Sequence, residues 1–165
     1  MARVLIVGCG CRGRALAGAL PELAVRGTTR SPQRVAELEA AGIEGVVADP
    51  DRLATLVPAL AGVTVVCWLL GSAADSPDVH GPRLQTLMEH LVDTPVRGFV
   101  YEASGTADPA LLEQGAHIVR TASQTWRIPV EVVSADAAEH EAWLEAMKEA
   151  VERLLLHCPR NAGEM

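Results

Sequence analysis

VLIVGCGCRG, residues 4–13, is the stretch on which the fold turns. Four apolar, strand-prone residues lead into Gly8, Gly10 and Gly13, and a helix-prone run, RALAGAL, continues from them to about Leu20. A strand that ends in Gly-x-Gly-x-x-Gly and opens directly into a helix is a phosphate-binding turn. Gly8 permits the tight turn, Gly10 lets the backbone approach a pyrophosphate, and Gly13 allows close packing of helix on strand. The helix start offers free N–H groups and the positive end of a dipole.

Cys9 and Cys11 occupy the variable positions of this loop, and their chemistry is read against the rest of the chain. A zinc site needs further soft ligands at suitable spacing, and the five histidines are scattered, so no metal is expected. A redox pair at a helix amino terminus, where thiol pKa values fall, is the sharper alternative. Small side chains tolerated by a tight loop is the simpler reading. The remaining cysteines, Cys67 and Cys158, are too few and too unevenly placed for a disulfide framework, which points to a reducing, cytoplasmic setting. Leu5-Ile6-Val7-Gly8-Cys9 also has the look of a lipoprotein cleavage site. Its apolar run of four residues, however, falls far short of the roughly 7–15 of a signal peptide.

Outward from the loop, short runs rich in Val, Ile and Leu recur at Arg3–Val7, Leu23–Thr28, Gly45–Ala48, Val63–Leu70, Val96–Ala103 and Val130–Val133. Each interval has room for one helix, so the pattern predicts repeated βα units and a parallel α/β sheet. Several runs, Val63–Leu70 above all, are apolar without alternation, as strands covered on both faces are. Ser31-Pro32, Asp49-Pro50 and Asp108-Pro109 set a capping side chain before a proline at a helix start. Asp136 and Glu139 have capping-box spacing, and Pro58 is expected to shorten or kink the third helix. The last helix, expected from about Ala137 to His157, carries Trp143, Met147, Val151 and Leu154 on one stripe, with an acidic outer face and a Glu149/Arg153 pair.

The chain has 165 residues, 49% of them hydrophobic but only three Trp, one Tyr and one Phe, so the core is aliphatic, as in an α/β sandwich. One domain over 1–158 with a frayed tail at 159–165, and no separate substrate domain, is the expectation. The net charge of −7 would repel phosphate backbones and anionic membranes. No apolar run approaches a membrane span.

About twenty residues beyond Gly8, where a fold that prefers NAD places Asp or Glu for the ribose hydroxyl, the chain reads Thr28-Thr29-Arg30-Ser31. An arginine flanked by the hydroxyls of Thr29 and Ser31, with Arg34 a turn later and Arg12 in the glycine loop, suits a 2′-phosphate instead. NADP is therefore expected ahead of NAD.

"VLIVGCGCRGRALAGAL", "RGTTRSPQRVAELEAAGIEGVVAD" and "VYEASG" together resemble the cofactor-binding half of atypical short-chain dehydrogenases/reductases of the NAD-dependent epimerase/dehydratase-like kind, over residues 3 to 134. The resemblance implies a doubly wound Rossmann sheet in the order 3-2-1-4-5-6. It also implies Asp49 near the adenine, Leu70, Gly71 and Ser72 lining the cofactor, and Ser104 at the catalytic-serine position. The family's Tyr-x-x-x-Lys pair has no counterpart, since the single tyrosine, Tyr101, lies in strand five and the single lysine, Lys148, in the last helix. His117 and Ser104 are the remaining candidates for proton transfer. The loop Ala73–Pro82, with Asp75, Asp78 and His80, lies where a lid would be. The same resemblance makes Leu84, Leu87, Met88 and Leu91 a candidate homodimer face, although covering the sheet explains them equally. Trp68, Trp126 and Trp143 read as packing. Three functions follow: a cofactor-binding or redox-sensing protein without turnover, a small NADPH-dependent oxidoreductase acting on a small molecule, or an oligomerisation module that has lost its ligand.

Overall fold

The computed structural model describes residues 2–73 and 75–156. Six strands form where the apolar runs fall: β1 (Arg3–Val7), β2 (Ala24–Thr29), β3 (Glu44–Val47), β4 (Val65–Trp68), β5 (Gly98–Glu102) and β6 (Val130–Val133). Every neighbouring pair is parallel, and the order across the sheet is β3-β2-β1-β4-β5-β6. Six helices make the crossovers and the final layer: α1 (Cys11–Gly18), α2 (Val35–Ala40), α3 (Leu53–Leu56), α4 (Pro82–Leu91), α5 (Pro109–Trp126) and α6 (His140–Leu156).

Alternation along the central strands feeds two cores. Val4 and Ile6 of β1, Val65 and Cys67 of β4 and Val100 of β5 face Leu16, Leu38, Trp143 and Met147, from α1, α2 and α6. Leu5, Val7, Val66, Trp68, Phe99 and Tyr101 face Leu56, Leu84, Leu87, Met88 and Val119, from α3, α4 and α5. Each such side chain contributes roughly 1.5–3 kcal/mol on leaving water, which is why the unbroken apolar runs become central strands. Leu84, Leu87, Met88 and Leu91 are consumed in this way; all four are buried against the sheet, so the proposed dimer face is not on offer to a second copy. A small residue fits α5 to its strand as well: a Cβ at Gly115 would overlap the Tyr101 ring and hydroxyl.

Element ends depart from the sequence reading. β4 and β5 are shorter than their apolar runs; β4 ends at Trp68, opposite Val7 at the end of β1, and Leu69 and Leu70 continue as buried loop. α1 stops at Gly18 and α6 begins at His140. Asp108 does cap α5, its Oδ1 accepting from the Ala110 N–H at 2.9 Å. Ser31 does not cap; its hydroxyl donates to Gln33 Oε1. Asp49 closes a local turn onto the Asp51 N–H, two residues ahead of α3, and Asp136 does the same onto the Ala138 N–H. In each case the short acid prefers its own backbone two residues on. As expected of Pro58, α3 gives way to a 3-10 turn at Val57–Leu60. Cys158, His157 and the tail lie outside the described residues.

Candidate functional site

β1 runs into Gly8, whose φ of +80° makes the turn and whose missing side chain clears the Leu69 carbonyl and Leu70. The loop is then pinned to β2: the Gly8 N–H donates to Thr28 Oγ1 at 3.1 Å and the Cys9 N–H to the Thr28 carbonyl at 3.0 Å. Gly13 sits against Cys9 and Ile6 with no room for a Cβ, whereas nothing lies within 4 Å of one built on Gly10. No side chain caps α1, so its leading N–H groups are available to an anion.

In front of this loop lies a cavity of about 390 Å³. It is lined by Gly8, Cys9 and Gly10 of the loop, Thr28, Thr29, Arg30 and Arg34 from β2 onward, Ala48 and Pro50 after β3, and Leu69, Leu70, Ser72 and Asp75 after β4. Arg30 and Arg34 are exposed, and among the described residues neither guanidinium has a hydrogen-bond or ion-pair partner. Two free cations beside neutral hydroxyls form a donor set for a phosphate. Of the other expected contacts, Cys11, Arg12, Gly13, Ser31, Asp49 and Gly71 do not line the cavity. Asp49 has turned onto Asp51, leaving Ala48 and Pro50 in its place.

Arg12 is committed elsewhere. Its Nη1 donates to Glu102 Oε2 at 2.6 Å, its Nη2 to the Ser72 hydroxyl at 3.3 Å, and its guanidinium lies 5.4 Å from the centre of the Trp143 ring. Glu102, at the end of β5 and 0% exposed, also accepts from the Trp143 indole N–H at 2.9 Å and, through Oε1, from the Gly71 N–H at 2.9 Å. Burial pushes its carboxyl above the ordinary range, opposed by the Arg12 charge and these donors. Both oxygens being fully engaged, Glu102 is an anchor rather than a proton donor.

A second buried pair lies behind Leu70. His80 is 0% exposed, with Nε2 2.9 Å from the Leu70 carbonyl and Nδ1 2.7 Å from the Tyr101 hydroxyl. A carbonyl only accepts, so Nε2 carries the proton and Tyr101 donates to Nδ1. Burial lowers the His80 pKa and raises that of Tyr101, which keeps both neutral. The loop expected as a lid is thus held down by its own histidine.

The two candidates for proton transfer, Ser104 and His117, do not line the same cavity. The Ser104 hydroxyl donates to the Ala135 carbonyl at 2.6 Å, and Ser104 lines a separate cavity of about 500 Å³ over β5 and β6, with Leu112, Glu113, Ala116, Arg120 and Ser134. His117 lines neither cavity: with Ala116 and Val119 turned inward on α5, the helical turn carries residue 117 outward. Cys9 is buried, which lifts its thiol to about 11, and Cys11 is exposed, so the loop does not present a matched thiol pair.

Sequence reasoning gave Glu102 no role, and it named Thr28, His80 and Trp143 without the contacts that fix the loops. Only Glu102 carried a signal, being a lone charge inside a strand too apolar to leave it without a partner. Among the described residues no group of three His, Cys, Asp or Glu side chains could hold a metal, and no helix is long and apolar enough to cross a membrane.

No family model matches the sequence, and no curated protein does. Solved structures match its fold. UDP-glucuronic acid 4-epimerase of Bacillus cereus, in complex with NAD, is 17% identical over 81% of this chain and 56% of its own, with a TM-score of 0.63. Triphenylmethane reductase of Citrobacter sp., complexed with NADP(H), is 18% identical over 79% and 48%, with a TM-score of 0.63. Vestitone reductase of alfalfa is 16% identical over 80% and 56%, again at 0.63. The chain spans about half the length of these proteins. Its fold is the Rossmann-like one of NAD(P)-dependent epimerases and reductases.

Proposed function

We propose that this chain is an NADP(H)-binding protein that does not turn its cofactor over. One observation carries the reading: Arg30 and Arg34, both without partners among the described residues, share a cavity with the glycine loop. The uncapped start of α1 suits the pyrophosphate, and Ala48 and Pro50 offer an apolar seat to the adenine. The two arginines, with Thr29, suit the 2′-phosphate that distinguishes NADP from NAD. Nicotinamide dinucleotides supply hydride chemistry when bound, but this chain brings no tuned acid to it: Tyr101 is buried, Ser104 is spent on Ala135, and Lys148 stands on α6.

Calorimetric titration tests this. NADPH should bind at least tenfold tighter than NADH. Arg30→Glu should lower NADPH affinity about tenfold to a hundredfold, the worth of a charge-assisted phosphate contact, with NADH little changed. Equal loss for both cofactors would remove the 2′-phosphate assignment.

A further inference from the structure

The loops after β4 and β5 are joined at the crest of the sheet. The Ala107 N–H donates to the Gly71 carbonyl at 2.9 Å and the Thr106 N–H to the Ser72 hydroxyl at 3.4 Å. The fit is backbone on backbone: a Cβ on Gly71 would strike the Ser104 carbonyl, and one on Gly105 the Gly71 carbonyl. On the α1 and α6 side the same boundary is filled by Arg12, lying across Ser72, Glu102 and Trp143. The cavity that runs from the ends of β1–β3 to the loop after β4 and the one over β5–β6 share no lining residue.

A dinucleotide on a sheet of this order crosses that boundary. One nucleotide lies over the β1–β3 half, the pyrophosphate meets the start of α1, and the second nucleotide lies over the β4–β6 half. Here the first half is open as far as the loop after β4 and carries the two free cations, while passage beyond that loop to β5 and β6 is closed twice. Opening it would strip Arg12 from a carboxylate that is 0% exposed, a step that leaves a buried charge uncompensated.

We infer that the chain recognises only the adenosine 2′,5′-bisphosphate end of NADP(H) and leaves the nicotinamide end in solvent. This rests on the NADP(H) reading above and narrows it. A site of this kind registers the 2′-phosphate and takes the oxidised and reduced cofactors alike. The missing acid-base pair follows naturally, because no ring is seated for hydride transfer.

The test is calorimetry on the wild-type chain with NADPH, NADP⁺, adenosine 2′,5′-bisphosphate and nicotinamide mononucleotide. The first three should bind within about fivefold of one another, under ~1 kcal/mol on the scale where tenfold is 1.4, and the mononucleotide should not bind. The emission of the dihydronicotinamide ring of NADPH should stay that of the free cofactor. A bisphosphate more than about fivefold weaker than NADPH, or ring emission that shifts on binding, would overturn the inference while leaving NADP(H) binding intact. Failure of NADPH and the bisphosphate together would remove both.

Discussion

Both halves of the sheet match a buried charged group with a partner, Arg26 with Glu44 in one and Glu102 with Arg12 in the other, but their loop ends differ. Over β1–β3 the loop ends leave donors exposed: an uncapped α1, two arginines without partners among the described residues, and Gly10 facing open space. Over β4–β6 polar groups are drawn inward and matched to one another, Glu102 with Arg12, Trp143 and Gly71, and His80 with Tyr101 and Leu70. Among the described residues no buried side-chain polar atom is left without a partner. Unspent donors are capacity for a ligand, and spent ones are stability. One set of loop ends leaves its donors open, and the other spends them on the fold.

Three experiments would break or sharpen that contrast. The largest effect belongs to Glu102→Ala, which orphans the Gly71 and Trp143 N–H groups and the Arg12 charge together. Urea unfolding should show a loss of about 3–5 kcal/mol, the range for breaking one side of a buried ion pair; a loss under about 1 kcal/mol would mean that the cluster holds nothing together.

Next comes a pair of glycines in the same loop with different roles. Gly13→Val must push Cys9 and Ile6 aside and should cost about 1–3 kcal/mol, as overpacking does. Gly10→Val meets no neighbour and should leave stability within about 0.5 kcal/mol while weakening the bisphosphate. If Gly10→Val bound as well as wild type, the glycine loop would not be the anion site.

The smallest effect is a slope with pH. Burial lowers the folded-state pKa of His80 below 6.5, so just below that value the unfolded chain holds a proton that the native chain refuses. Stability should therefore fall as pH drops through 6.5 toward the lowered value. Glu102, with a raised pKa, contributes the opposite slope above 4.5. Comparing wild type with His80→Gln isolates the histidine, whose share of the slope should vanish in the variant; equal slopes would place His80 in water.

Much of this was legible in the chain itself. Parallel βα order followed from six apolar runs, and the turn from Gly8 to Gly13 followed from spacing, because backbone conformation and local periodicity are short-range properties. The direction of a long side chain is not. Arg12 reads as a loop cation for phosphate until β5 and α6, 90 and 131 positions away, bring Glu102 and Trp143 to it. Ser104 and His117 both read as proton-transfer candidates on a line of text, but the loop after β5 turns Ser104 onto the Ala135 carbonyl and the pitch of α5 sends His117 to the surface. His80, in a segment rich in proline and aspartate, reads as a mobile loop, and only the Tyr101 hydroxyl beneath it shows why it is fixed.

The donors that satisfy Glu102 come from positions 12, 71 and 143. On a ribosome they appear in that order, and the indole arrives well after Glu102 itself. Until then β5 has a carboxylate to bury and an incomplete set of partners for it. Glu102 therefore acquires its full set of donors only once α6 has emerged.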